Sequence, residues 1–152
     1  MNPLTILNYP LDIAALLQSA AHAKLHAEPY TDSRYPDCEK EDWHIGKYTD
    51  AHVDKILHDF EVAGSPRFYW LEPFANLPQH VDNGTECSIN FILTENPAPI
   101  TIGGVNYTYQ QALLNTTVPH SVTNGETERI ILKISIFDET YESLSARIKY
   151  KM

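Results

Sequence analysis

Pro119-His120-Ser121-Val122-Thr123-Asn124-Gly125-Glu126-Thr127-Glu128-Arg129-Ile130-Ile131-Leu132-Lys133-Ile134-Ser135-Ile136 reads as two β-prone runs on either side of an Asn-Gly pair. An Asn-Gly pair flanked by such runs is the strongest short-range signal for a two-residue hairpin turn. If Asn124 and Gly125 are the central residues of a type I′ turn, Thr123 pairs with Glu126 and His120 falls directly opposite Arg129. Directly paired side chains share a face, with Cβ atoms about 4.5–5.5 Å apart. Side chains alternate along a strand, so Ile130, Leu132, Ile134 and Ile136 form one apolar face, and Arg129, Ile131, Lys133 and Ser135 the other. The spacing predicts the inside of a binding barrel on the face with the histidine and two cations. The apolar face is expected to pack against helices.

Upstream, Cys87 to Leu93 divides in the same way, with Ser88 and Asn90 on one face and Cys87, Ile89, Phe91 and Leu93 on the other. Phe68 to Leu71, Ile100 to Ile102, Tyr107 to Tyr109 and Leu113 to Val118 are further short β-prone runs. Asn83-Gly84, Asn96-Pro97 and Gly103-Gly104 punctuate them with turn chemistry. The first part of the chain differs. Asp12 to Ala27 is rich in Ala and Leu, with Pro10 and Asp12 where a helix start belongs. Asp50 to Val62 carries Val53, Ile56, Leu57 and Phe60 at helical spacing, with Thr49 or Asp50 as cap and Gly64-Ser65-Pro66 as terminator. Glu28 to Lys40, with Pro29 and Pro36, reads as a loop.

Helices first and closely spaced strands afterwards predict a mainly β, antiparallel barrel or sandwich packed by helices on one side. The intervals between strands leave no room for crossover helices. The expected organisation is one domain over residues 1–152, with helical and loop support in 1–65 and the β core in 66–140.

His80-Val81-Asp82 supplies the chemistry. Histidine and aspartate two positions apart on an extended segment point the same way. With His120, 40 residues further on, they make two imidazoles and one carboxylate, the facial set typical of non-haem Fe(II) oxygenases. Three ligands on one face leave three positions for a chelating co-substrate and O2, which a closed structural site does not. A bidentate 2-oxo acid with a second carboxylate needs a fixed cation at its far end, and the forked guanidinium of Arg129 suits that task. Lys133, two pairs further along the same face, is the alternative.

The chain has 152 residues, 43% hydrophobic and 20% charged, with a net charge of −9. That balance is the one expected of an ordinary globular protein. The acidic surplus argues against nucleic acid or an anionic membrane surface as partner. Two cysteines, Cys38 and Cys87, imply no disulfide framework and suit a reducing cytoplasm. Met1 to Pro10 lacks the basic and apolar regions of a secretory leader.

Other candidates carry less. His22 and His26 sit four apart on the first predicted helix and read as its surface, as do His44, His52 and His58 elsewhere. Glu39-Lys40-Glu41-Asp42 reads as a solvated turn. Phe68-Tyr69-Trp70 and Phe74 read mainly as core, with Tyr69 or Trp70 available to line a substrate mouth. Neither cysteine has the basic neighbours of a nucleophile, and no phosphate-cradling loop or GxSxG elbow occurs.

Leu77-Pro78-Gln79-His80-Val81-Asp82, Cys87-Ser88-Ile89-Asn90-Phe91-Ile92-Leu93, Pro119-His120-Ser121-Val122-Thr123-Asn124 and Arg129-Ile130-Ile131-Leu132 together resemble the 2-oxoglutarate/Fe(II)-dependent oxygenases. Within them the passage is most similar to the aspartyl/asparaginyl β-hydroxylase-like group. The resemblance spans about Phe68 to Phe137. It implies a double-stranded β-helix (a cupin-like jelly roll) with Fe(II) at the barrel mouth and 2-oxoglutarate as co-substrate. It assigns His80, Asp82 and His120 as catalytic iron ligands and Arg129 as the co-substrate arginine. Ser88 and Asn90 fall where that group places polar co-substrate contacts. Members of the β-hydroxylase group often lack the acidic ligand, so Asp82 favours the full triad of the wider superfamily and argues against a halogenase. The His120-to-Arg129 spacing is one residue shorter than the group's, which keeps Lys133 open as the anchor.

The function this implies is a hydroxylase of an amino-acid, peptidyl or small-molecule substrate, consuming 2-oxoglutarate and O2. The rival is a cupin-fold metal- or ligand-binding protein without oxidative turnover.

Overall fold

The structure is a computed structural model that describes residues 2–25, 28–29 and 43–152. In chain order its elements are β1 (Leu4–Ile6), α1 (Ile13–Lys24), β2 (Glu28–Pro29), β3 (Trp43–Lys47), α2 (Ala51–Phe60), β4 (Gly64–Leu71), β5 (Asn76–His80), β6 (Cys87–Ile92), β7 (Ile100–Ile102), β8 (Val105–Tyr107), β9 (Gln111–Leu114), β10 (His120–Thr123), β11 (Arg129–Ile136) and α3 (Tyr141–Arg147).

Both early helices begin where short acidic side chains cap them. The Ala15 amide donates to Asp12 at 3.0 Å, and the His52 and Val53 amides donate to Asp50 at 3.0 and 3.1 Å. Ser19 Oγ donates to the other Asp50 oxygen at 2.5 Å, which ties α1 to the start of α2. Helix α2 stops two residues earlier than its apolar period suggests, because Glu61 turns left-handed at φ 55°. Arg147 of α3 donates to the freed carbonyls of Phe60 and Glu61.

The strands form two antiparallel sheets. The larger runs β1-β9-β6-β11-β4-β3-β2 and the smaller β5-β10-β7-β8. Two apolar layers follow from strand alternation. Ile89, Phe91, Leu132, Ile134 and Ile136 meet Leu16 and Ala20 of α1 and Val53, Ile56 and Phe60 of α2 on the outer face of the larger sheet. Leu71, Ile92 and Ile131 meet Ile100, Ile102 and Val122 between the sheets. This is a double-stranded β-helix with helices on one side: the strand pattern predicts the antiparallel sheets and one-sided helices, and the resemblance implies the β-helix.

The hairpin expected at Asn124-Gly125 is not formed. β10 pairs with β5 and β7 in the small sheet, whereas β11 pairs with β4 and β6 in the large one. A type I′ turn needs positive φ at both central residues, and neither Asn124 nor Gly125 has it. The Asn124 carboxamide instead donates to the carbonyls of Leu71, Glu72 and Thr127, so the segment is a corner between sheets. The two-residue turn occurs at Gly103-Gly104, with φ of 59° and 80°, joining Ile102 to its partner Val105.

Other differences lie at strand positions. Tyr107 to Tyr109 is expected as a strand, but the strand lies two residues earlier. The run Leu113 to Val118 ends at Leu114, where Asn115 to Val118 make a turn. The segment before residue 66 is not helix and loop alone. β1 pairs with β9, and β3 pairs with β4 along Trp43 to Lys47. Gly46 lets β3 lie under α1: a Cβ there would stand 2.8 Å from the Ala23 carbonyl and 3.1 Å from the Trp70 ring. Of the loop expected over Glu28 to Lys40, only 28 and 29 are described, as β2. His26, Cys38 and Glu39 to Asp42 lie outside the described residues. Phe74 is not core: it is 71% exposed, on a left-handed backbone at φ 63°.

Candidate metal centre

His80 closes β5 and His120 opens β10, and the two are direct partners in the antiparallel ladder. Their rings stand 4.4 Å apart, centroid to centroid. Asp82 follows just beyond β5, where its amide donates to the Thr116 carbonyl at 3.3 Å. Its Oδ1 lies 3.2 Å from His80 Nε2 and 3.4 Å from His120 Nε2. One ligand atom from each of the three residues falls within 4.8 Å of the others.

Both imidazoles are oriented by backbone carbonyls. His80 Nδ1 is 2.8 Å from the Pro78 carbonyl, and His120 Nδ1 is 2.8 Å from the Val118 carbonyl. A carbonyl only accepts, so each Nδ1 donates to it and each Nε2 is the ring atom turned toward Asp82. Three potential ligand atoms that converge in this way can hold a metal cation between them. Metal–ligand bonds of about 2.0–2.2 Å place adjacent ligand atoms about 3–3.5 Å apart, which is the spacing found between Asp82 Oδ1 and each Nε2. The donor set fits a divalent transition metal held on one face.

Lys133 Nζ lies 2.6 Å from the second Asp82 oxygen, Oδ2. Burial pushes the Asp82 carboxyl up, but the imidazoles of His120 and His80 and the Lys133 ammonium outweigh it and hold Asp82 well below the usual carboxylate range. Burial works against the Lys133 charge, while Tyr69 and Asp82 beside it hold its pKa above the ordinary value.

Behind the triad lies a cavity of about 60 Å³, walled among others by Tyr69, Asn90, Tyr109, His120, Arg129 and Lys133. Arg129 is fully buried. Its NH1 donates to the Ala98 carbonyl at 2.5 Å and approaches Asn96 Oδ1 at 3.4 Å. Its Nε and NH2 are buried with no hydrogen-bond partner, and among the described residues no carboxylate pairs with it. A buried guanidinium left so is costly unless an anion joins it.

Thus the structure brings His120 and Arg129 to one cavity, though not by the cross-strand pairing expected of them. They sit on facing sheets, and Arg129 has Leu71 as its strand partner. Ser88 and Asn90 also line the cavity, where Ser88 Oγ donates to Asn90 Oδ1 and Asn90 Nδ2 to the Tyr109 hydroxyl. Tyr69 faces the cavity, whereas Trp70 packs toward the helices. Asn96 and Asn124, joined at 2.8 Å and buried behind Arg129, were legible only as turn residues. Nothing local marks them as its support. His22, His52 and His58 are exposed and His44 is half-buried.

No protein-family model matches the sequence, and no curated protein matches it. Solved structures do. A prolyl hydroxylase from Trichoplax adhaerens, solved with a hypoxia-inducible-factor degradation-domain peptide, superimposes with a TM-score of 0.68 at 13% identity, covering 95% of this chain and 88% of its own. A Pseudomonas putida prolyl-4-hydroxylase gives 0.65 at 15% identity, over 84% and 86%. A Burkholderia pseudomallei oxidoreductase of the 2OG-Fe(II) oxygenase family gives 0.57 at 11%, over 85% and 79%. At such identities the likeness is one of fold. Among the described residues no helix is long and apolar enough to cross a membrane.

Proposed function

We propose that this chain is an Fe(II)- and 2-oxoglutarate-dependent dioxygenase of the hydroxylase type. The observation that carries the reading is the convergence of His80 Nε2, His120 Nε2 and Asp82 Oδ1 beside a fully buried arginine with two unpartnered nitrogens. A metal site alone fits many cupin chemistries. A metal site with a buried, anion-seeking guanidinium behind it fits a chelating co-substrate with a remote carboxylate.

His80, Asp82 and His120 would hold the iron, their geometry preset by the Pro78 and Val118 carbonyls and by Lys133. Arg129 would take the far carboxylate of 2-oxoglutarate through Nε and NH2, held in place by the Ala98 carbonyl. Tyr109, with the Arg129 guanidinium 5.8 Å from its ring centre, and Asn90 would orient the chain of the co-substrate. Apolar Ile100, Val122 and Ile131 around them exclude water. Bound iron and co-substrate would supply O2 activation coupled to oxidative decarboxylation of 2-oxoglutarate to succinate and CO2, with hydroxylation of a C–H bond. The cavity is small for a five-carbon diacid. Lys133, an unbranched side chain reaching across it to Asp82, is the group that can swing aside.

Arg129 rather than Lys133 is the proposed anchor, because Lys133 already has an anionic partner and Arg129 has none among the described residues. The carboxylate ligand Asp82 favours a full-triad hydroxylase over a member of the β-hydroxylase-like group that lacks it. The prime substrate stands as an amino-acid, peptidyl or small molecule.

The test is succinate release from 2-oxoglutarate by the purified chain, with and without Fe(II) under air. Iron-dependent succinate supports the proposal. Metal binding with neither 2-oxoglutarate binding nor succinate would overturn it in favour of a cupin-fold binding protein.

A further inference from the structure

The register of the large sheet places three cations in one row. Lys47 on β3 pairs with Arg67 on β4, Arg67 pairs with Lys133 on β11, and Lys133 pairs with Asn90 on β6. Direct partners share a face, and Lys133 and Asn90 fix that face as the one lining the metal cavity. The row therefore runs from exposed Lys47, through half-buried Arg67, to the side chain that touches Asp82.

Like charges placed directly opposite destabilise a sheet. Asp82 answers one of the three. Among the described residues no carboxylate forms an ion pair with Arg67 or Lys47, and Arg67 Nε is buried without a hydrogen-bond partner. This occurs in a chain whose net charge is −9, so acidic partners are plentiful elsewhere. The next row on the same face is Ser65-Ser135-Ser88, which sets hydroxyls beside the cations. Arginine and lysine flanked by hydroxyls, with Arg67 Nε unpartnered among the described residues, match an oxyanion.

We propose that Arg67 and Lys47 form a subsite for an anionic group of the prime substrate, a carboxylate or a phosphate on a small molecule, next to the metal. Arg129 serves the co-substrate deep between the sheets; Arg67 serves the substrate one strand away from Lys133, the side chain that touches Asp82. This rests on the reading of His80, Asp82 and His120 as the metal site, and it adds the substrate's charge to that reading.

The experiment is calorimetric titration of methyl phosphate and, separately, acetate into the full chain holding Mn(II) and saturating 2-oxoglutarate under nitrogen. At least one probe is expected to bind. Arg67→Met should weaken it about ten- to a hundredfold, the loss of one charge-assisted contact. Arg67→Lys should keep most of the affinity, which a merely structural role for Arg67 does not predict. Lys47→Met, at the exposed end, should weaken the same probe a few-fold and serves if Arg67→Met does not fold. Binding of methyl phosphate alone identifies a phosphorylated substrate, and binding of acetate a carboxylate. Binding of neither probe, or equal binding by wild type and both methionine variants, overturns the subsite. If the chain takes up no Mn(II) or no 2-oxoglutarate, the functional reading fails, and the same comparison in metal-free protein still decides the subsite.

Discussion

His120 is the direct strand partner of His80, and their Nε2 atoms both face Asp82 Oδ1, at 3.4 and 3.2 Å. The backbone ladder, not a flexible loop, therefore sets the distance between the two imidazoles. Two carbonyls orient their rings through Nδ1. Such a site is preorganised, so removing a ligand costs affinity without a compensating rearrangement.

Asp82→Ala and His120→Ala are each expected to weaken Mn(II) or Co(II) binding about a hundredfold or more. Equilibrium dialysis or calorimetry on the purified chain measures this. Unchanged affinity in Asp82→Ala would remove Asp82 from the ligand set.

Arg129→Met and Lys133→Met are expected to separate two roles. Arg129→Met should weaken 2-oxoglutarate binding about ten- to a hundredfold while Mn(II) still binds. Lys133→Met releases Asp82 Oδ2, so its main effect should fall on metal affinity. The opposite pattern would make Lys133 the anchor.

Arg129→Met should also make the ligand-free protein more stable, by about 1 kcal/mol or more, because two buried unpartnered nitrogens disappear. A higher urea midpoint for the variant without ligand, and a smaller gain on adding 2-oxoglutarate, is the expected signature. A lower midpoint would mean that the Ala98 contact outweighs the buried charge.

Asp50→Ala should cost about 0.5–2 kcal/mol, since it uncaps α2 and frees Ser19. Burial raises the Asp50 pKa, but hydrogen bonds from Ser19, Val53 and His52 outweigh it and hold the folded carboxyl below its ordinary value. Its stabilisation is then complete above the unfolded carboxyl pKa of about 3.9 and is lost as pH falls through the folded value. The gap between wild type and variant should shrink in urea melts below about pH 4. A gap that widens on acidification would contradict the assignment.

Cys87 is fully buried, and burial with Glu139 and Glu86 nearby pushes its thiol up to about 12. In a Cys38→Ser background it should resist iodoacetamide at neutral pH until the chain unfolds. Rapid alkylation of the folded variant, read by mass spectrometry, would be inconsistent with that environment.

Local order was legible where local physics decides it. Asp12 and Asp50 as caps, the alternating faces of Cys87 to Leu93 and Ile130 to Ile136, and the His80-Val81-Asp82 spacing all depend on neighbours within a few residues. Which strands meet depends on contacts far apart in sequence. Asn124-Gly125 has the composition of a hairpin, yet two distant carbonyls, of Leu71 and Glu72, recruit the Asn124 side chain, and β10 and β11 lie in different sheets. His120 and Arg129 share a cavity because those sheets face each other. The row of Lys47, Arg67 and Lys133 has no trace in the order of residues, since each cation comes from a different strand. Alternation, helix caps and the two-residue spacing of His80 and Asp82 follow from neighbours along the chain. Tertiary structure alone decided strand partnership, and with it the site's geometry, because strand pairing is non-local and closes only when both apolar layers are buried.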